Sequence, residues 1–191
     1  TERTDKMKVI LASASPRRRE LMRYITDDFT AVSTDCDETL PQDIDPMVAA
    51  EYLAKVKALA AAEKYPGDIV IGCDTTVICD GDILGKPADK SQCTAVLELL
   101  SGRTHQVVTG CSIMYGDKAV SFSEVTDVTF RELSEQEIDE YASSDEPYDK
   151  AGGYAIQETY AKYVDRYTGD IENIIGFPFA LFKEKMDIHF G

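Results

Sequence analysis

Two short apolar runs constrain this chain more than anything else in it: Met7–Ser13 (MKVILAS) and Ile69–Cys73 (IVIGC). Both are too short for a buried helix, and both are partly β-branched, so each reads as a buried strand. Helical patterns alternate with them. Ser15 is suited to cap, and Pro16 to open, a helix over Arg17–Ile25. Phe29–Thr34 reads as a second strand. Asp45-Pro46 then starts the strongest helix, reaching about Lys64, with Val48, Tyr52, Val56, Leu59 and Ala60 at helical spacing. Tyr65-Pro66-Gly67-Asp68 stops it. Such alternation predicts an α/β fold whose sheet begins largely parallel.

The second half adds antiparallel signals. Thr76–Cys79 continues extended after Asp74, and Asp80-Gly81-Asp82 is a turn able to pair it with Ile83-Leu84. Ser91–Leu100 is helical and stops near Gly102. His105–Tyr115 and Ala119–Phe130 read as long strands joined at Gly116-Asp117. Ser134-Glu135-Gln136-Glu137 fits a capping box for a helix to about Ser143. A polar loop leads to Ala151–Gln157, where a Gly-Gly turn entering a strand is the plain reading. A strand around Lys162–Tyr167 and a helix from Pro178 follow. The sequence carries no repeat and no low-complexity linker. The expectation is a mixed sheet with flanking helices and a cleft, one domain over residues 7–191, with Thr1–Lys6 a polar, disordered extension.

Charge and cysteine usage exclude several classes. The 35 acidic residues outnumber the 20 basic ones, a formal charge of −15. A chain so charged repels nucleic-acid backbones, so no nucleic-acid partner is expected. Five cysteines without a CxxC pair, and only two histidines, lack the spacing of a soft-ligand zinc site and fit a reducing cytosol. No signal-type stretch opens the sequence and no run approaches a membrane span. A cytoplasmic protein without a membrane partner is expected.

Three places could carry chemistry. In Ser13-Ala14-Ser15-Pro16-Arg17-Arg18-Arg19, a strand runs into a helix whose first turns hold three arginines. Cations at the positive end of a helix dipole are unfavourable unless an anion binds among them. A phosphate would satisfy both the orphan N–H groups and a bidentate arginine, while the plain alternative is a capped helix with solvated arginines. Asp74 ends the most apolar strand, where open α/β sheets place ligands, and Asp37 and Glu38 follow the second strand. A carboxylate group without histidine or paired thiolates suits Mg²⁺ or Mn²⁺ bridging phosphates; the alternative is a set of surface turn acids. In Asp149–Gln157 (DKAGGYAIQ), glycines allow close backbone approach, Lys150 offers a point charge, and Gln157 offers both donor and acceptor to a base edge.

Other patterns fall away. Gly81–Lys86 lacks P-loop spacing, no GxGxxG occurs, and His105 has no nucleophile beside it. Asp35-Cys36-Asp37-Glu38-Thr39 has the DxDxT spacing of aspartyl-phosphate phosphatases of the haloacid dehalogenase type, a rival reading.

Taken together, ILASASPRRREL, LAKVKA, GCDTTV, GKP, LSGRTHQVVT, DKAGGYAIQ and NIIGFP resemble the Maf family in order and spacing, from Val9 to Phe179. The resemblance implies a nucleoside triphosphate pyrophosphatase dependent on a divalent metal cation (Mg²⁺ or Mn²⁺). It also implies a fold like that of inosine triphosphate pyrophosphatases (Maf/Ham-type), a homodimer and a link to division arrest. It implies Asp74 as proton acceptor, and Arg17, Thr75 and Gln157 as setters of substrate preference. Ser13, Arg18, Glu38, Lys57, Lys86 and Lys150 match polar positions around triphosphate and metal, with Glu38 and Asp74 on the metal. DKAGGYAIQ looks like the subgroup acting on dTTP and UTP rather than 7-methyl-GTP. Phe177 stands where leucine is usual, and Asp37 where glutamate is common. A non-catalytic nucleotide-binding regulator of division is the other alternative, and the intact Asp74 argues against it.

Overall fold

The structure, a computed structural model, describes residues 8–157 and 159–190. In chain order these form β1 (Val9–Ala12), α1 (Pro16–Arg23), β2 (Phe29–Val32), α2 (Pro46–Lys64), β3 (Ile69–Cys79), β4 (Asp82–Leu84) and α3 (Lys90–Leu100). There follow β5 (Thr104–Tyr115), β6 (Lys118–Phe130), α4 (Glu135–Ala142), β7 (Val164–Thr168), α5 (Ile171–Ile175) and α6 (Phe179–Phe190). Short 3-10 turns lie at Pro147–Asp149, Ala151–Gly153 and Thr159–Tyr163. Met7, Gly191 and the extension read at Thr1–Lys6 fall outside the described residues.

All seven strands share one sheet, in the order β2-β1-β3-β5-β6-β7, with β4 also on β3. β1 lies parallel to β2 and β3, whereas β5, β6 and β7 are added antiparallel. This is the mixed sheet with flanking helices that the sequence predicted. β3 joins its two halves. On one edge it pairs with β1 as far as Gly72 and with β4 from Val77 onward. Between those stretches no strand among the described residues covers it. Asp74 therefore sits in the middle of a strand, not at the end of one as the sequence suggested. β5 holds the opposite edge from Val70 to Ile78 and keeps the backbone extended through Asp74; the strand that ends there is β1. The opening between β1 and β4 is the floor of the cleft.

The two faces of β3 are packed differently. Val70 and Gly72 face α2, while Ile71 and Cys73 join the apolar cluster beneath α1 and α6 with Leu11, Leu21, Met22, Cys111, Ile113, Phe122, Phe177 and Phe182. Asp45 caps α2 by accepting from the Met47 N–H, and Pro46 opens it. Its buried side is mostly alanine, Ala49, Ala50, Ala54, Ala58 and Ala61, with Leu53 among them. This corrects the apolar row read from the sequence, since Val48, Tyr52 and Leu59 are exposed. Close approach is the reason. A Cβ built on Gly72 would lie 2.1 Å from the Ala54 carbonyl oxygen, and one on Gly110 would lie 2.3 Å from the Ala50 carbonyl carbon. Only small residues on both surfaces let helix and sheet come so near.

Beyond the cleft, a second cluster gathers Leu97 and Leu100 of α3, Val107, Val128 and Phe130 of the sheet, and Ile138 and Tyr141 of α4. Ser134 and Glu137 form the expected capping box. The β3–β4 connection is also as read: Asp80 and Gly81 both have positive φ, 53° and 84°, the geometry of a two-residue hairpin turn. The Gly-Gly segment does not enter a strand. Gly152 and Gly153 have φ of 65° and 75°, which curl the chain into a 3-10 turn against the β3–β4 hairpin. There the Gly152 N–H donates to the Gly85 carbonyl. Among the described residues, the next strand is β7.

Candidate active site

Where β1 ends, α1 begins, and its first turn forms one wall of a cleft of about 1020 Å³. Ser15 caps α1 and accepts from the Arg18 N–H, while the Ser13 hydroxyl oxygen accepts from the Ser15 N–H and from Arg18 Nη1. Arg17 and Arg18 line the cleft, but Arg19 is exposed on the helix and does not. The residues that the resemblance assigns to base, triphosphate and metal all lie along this one cleft: Ser13, Arg17, Arg18, Glu38, Lys57, Asp74, Thr75, Lys86, Lys150 and Gln157. They come from α1, α2, β3 and four connecting segments, so only the fold brings them together.

Because neighbours on a strand point to opposite faces, Asp74 and Thr75 serve different sides of β3. Asp74 points toward α2, where its Oδ1 accepts from Lys57 Nζ at 2.6 Å. The same ammonium reaches Glu38 Oε2 at 3.1 Å. Burial alone would lower the Lys57 pKa, but the charges of Asp74 and Glu38 outweigh it and hold it above the usual lysine value. One half-buried cation thus gathers two carboxylates. Among the described residues, no three His, Cys, Asp or Glu side chains gather into a metal-holding group. Glu38 and Asp74 suit a hard divalent ion that takes its other ligands from phosphate and water.

On the other face, Thr75 lies against Arg18. Arg18 Nη2 donates to Thr75 Oγ1 at 2.9 Å, and Nε donates to the Gly176 carbonyl at 2.8 Å. Lys150 is buried, its Nζ held by the Glu146 carbonyl and by Asp149 Oδ1 at 2.8 Å. Its hydrogen bond and charge, with that of Arg17, hold the Asp149 carboxyl below the usual range. The rest of the lining is largely apolar, with Val77, Val107, Leu84, Tyr154, Ile156 and Ile174. Apolar walls with a few convergent charged groups are the ordinary make-up of a small-molecule site.

The two aspartates of the rival acidic motif do not line this cleft. Asp35 is exposed in the loop after β2, and Asp37 Oδ1 is engaged by the Thr39 N–H at 2.9 Å. Of that stretch, Glu38 is the member that lines the cleft.

The family model described as Maf-like protein matches residues 8–187. The chain belongs to the Maf family. A relative from Bacillus cytotoxicus named dTTP/UTP pyrophosphatase is 45% identical over 173 residues, covering 91% of each chain. Relatives of the same name from Bacillus cereus and Bacillus mycoides are 44% and 43% identical, again covering 91% of each. Among solved structures, the Ham1 protein of Staphylococcus aureus has a TM-score of 0.49 at 19% identity, covering 64% of this chain and 71% of that one. A HAM1 protein from Coxiella burnetii has a TM-score of 0.46 at 16% identity, covering 65% and 73%. In this Maf chain the sequence reading missed Thr109 and Asn173 as neighbours of the site, and it gave Asp149 no part. Asn173 and Gly176 lie in the NIIGFP stretch, whose match gave a place in the chain but no contact.

Proposed function

We propose that this chain hydrolyses nucleoside triphosphates, dTTP and UTP foremost, to the monophosphate and pyrophosphate. The observation that carries the reading is the convergence of Asp74, Lys57 and Glu38 from one face of β3 with Arg17 and Arg18 from the other, in one cleft. The relatives' printed name supports the same substrates.

In this mechanism Arg17, Arg18, Lys86 and Lys150 bind the phosphate chain, with the α1 N-terminus adding its dipole. Lys57 fixes one Asp74 oxygen, leaving the other to accept a proton from water. As that proton leaves, the water oxygen bonds to the α-phosphorus and the bond to the bridging oxygen breaks, releasing pyrophosphate. Such a step needs positioning and charge neutralisation more than covalent chemistry. Glu38 and Asp74 would hold a divalent cation, Mg²⁺ or Mn²⁺, which would neutralise charge on the phosphate oxygens. Base choice falls to Gln157, whose amide can donate to a pyrimidine carbonyl and accept from N3–H. Cytosine cannot copy that pairing, because its N3 carries no proton.

The same proposal includes one domain over residues 7–191, a homodimer and a cytoplasmic location. No helix among the described residues is long and apolar enough to cross a membrane. The test is incubation with a panel of triphosphates and Mg²⁺ or Mn²⁺, with products separated by chromatography. Monophosphate and pyrophosphate are expected, with kcat/KM higher for UTP than for CTP. Orthophosphate as first product refutes the cleavage site, and equal values for UTP and CTP refute the base assignment.

A further inference from the structure

Behind the cleft, a chain of hydrogen bonds has only one possible direction. Asn173, fully buried on α5, has its side-chain oxygen on the Thr109 N–H at 3.1 Å and its side-chain nitrogen on the Val107 carbonyl at 3.1 Å. A backbone carbonyl cannot donate and a backbone N–H cannot accept, so the amide orientation is fixed. The Asn173 main-chain carbonyl in turn accepts from the Thr109 hydroxyl at 2.9 Å. That commits the single Thr109 proton. The 2.9 Å contact between the Thr109 and Thr75 hydroxyls must then run from Thr75 to Thr109. With its own proton spent, Thr75 can only accept, and it does so from Arg18 Nη2.

The Arg18 guanidinium is thereby held by the Thr75 hydroxyl, the Ser13 hydroxyl and the Gly176 carbonyl. Arginine has about five N–H donors in a rigid fork. Three are engaged within the described protein, which leaves a pair for two oxygens of one phosphate. Gly176 closes this holder without crowding it: its φ is +116°, and a Cβ there would stand 3.3 Å from the Thr75 hydroxyl.

We infer that Thr109 is a positioning residue for Arg18: through its bond to the Asn173 carbonyl it makes Thr75 an obligate acceptor, which aims the guanidinium at the phosphate chain. Thr109 is itself fully buried and touches no substrate. The inference rests on the proposed phosphate-binding role of Arg18. It also gives Thr75 a definite part, since its hydroxyl has no proton left to give to a base.

Two readouts test this on the full chain: kcat/KM for dTTP, and calorimetric binding of inorganic pyrophosphate. Thr109→Val, close in shape but without a hydroxyl, is expected to weaken both by roughly 10- to 100-fold, a size typical of a misplaced binding group. Thr109→Ser is expected to restore both. Thr75→Val cuts the same chain one link nearer the cleft and serves should Thr109→Val fail to fold. In an Arg18→Ala background, Thr109→Val or Thr75→Val is expected to cost nothing further, because the group it aims is gone. Additive losses overturn the inference, as does Thr109→Ser no better than Thr109→Val. Absence of dTTP turnover in the unaltered protein refutes the proposed activity instead, and the pyrophosphate cycle still decides the positioning role.

Discussion

Replacing Gly72 with alanine couples the packing of this fold to its proposed chemistry. The new Cβ would lie 2.1 Å from the Ala54 carbonyl oxygen and 2.8 Å from the Ala58 nitrogen, whereas ordinary contact begins at 3.4 Å. Both obstacles are helix backbone, so no rotamer change relieves the clash and α2 must withdraw by about 1.3 Å, the difference between 3.4 and 2.1. Overpacking of well-packed interiors typically costs about 1–3 kcal/mol, and a rigid backbone obstacle belongs at or above the top of that range. For a chain of this size, ~3 kcal/mol lowers the melting temperature by roughly 6–12 °C. Lys57 precedes Ala58 on the same turn, so withdrawal also draws its ammonium off Asp74, now 2.6 Å away. Turnover should therefore fall in the fraction that remains folded. Calorimetric melting and steady-state assays below the transition measure the two effects. Gly85→Ala, whose Cβ would meet nothing, is the control for melting. A Gly72→Ala protein that melts within about 2 °C of the parent would show that α2 is not clamped at this point.

Asp74→Asn should lower turnover by about 10²–10⁴-fold with little change in melting temperature; near-normal turnover would assign the base elsewhere. Arg17→Ala should weaken binding of nucleotide while leaving α1 formed, since alanine is the better helix former; an unchanged thermal shift on adding nucleotide would mean a merely solvated arginine. Burial holds His105 neutral down to about pH 4, against an ordinary 6.5, with a smaller opposing pull from Asp127. Between those values the unfolded chain binds the extra proton, so this contribution is full above about 6.5 and is lost as pH falls toward 4, at most ~3 kcal/mol. His105→Gln should flatten that part of the stability profile measured by denaturant titration, and an identical profile would refute the assignment. Removing divalent metal with a chelator should abolish turnover and Mn²⁺ should restore it; full activity in excess chelator would remove Glu38 and Asp74 from metal duty.

Much of the site was legible because its residues sit beside strong local signals. Ser13 to Arg18 follow an apolar strand and a Ser-Pro helix start, and cations at a helix N-terminus are anomalous without an anion. Asp74 follows IVIGC, a run that could only be buried strand. The Ser134 capping box and the Asp80-Gly81 turn depend on nearest neighbours alone, and both formed as read. The Gly152-Gly153 segment was misread because paired glycines permit either a turn into a strand or a curl. Packing against Val77 and the Gly85 carbonyl selects the curl. Helical spacing pointed to Val48, Tyr52 and Leu59 as the packed row of α2, yet the alanine row is buried. Periodicity favours the larger apolar residues, whereas the distance of approach, set by Gly72 and Gly110 on the sheet, admits only the smaller ones.

By itself the sequence determined the strands, the caps and the mixed α/β architecture, because these follow from short-range sterics and from the need to hide apolar runs. It also carried the family, through motifs whose order and spacing survive without coordinates. Tertiary structure alone decided that Lys57 is the ion partner of both Glu38 and Asp74. It alone decided that Thr75 lies against Arg18, and that Asn173 and Thr109 set the direction of the bonds behind that arginine. The physical reason is common to all three. Each depends on which groups from distant segments lie within about 3 Å of one another, and hydrogen bonds and ion pairs weaken too steeply with distance and angle for spacing along the chain to specify them.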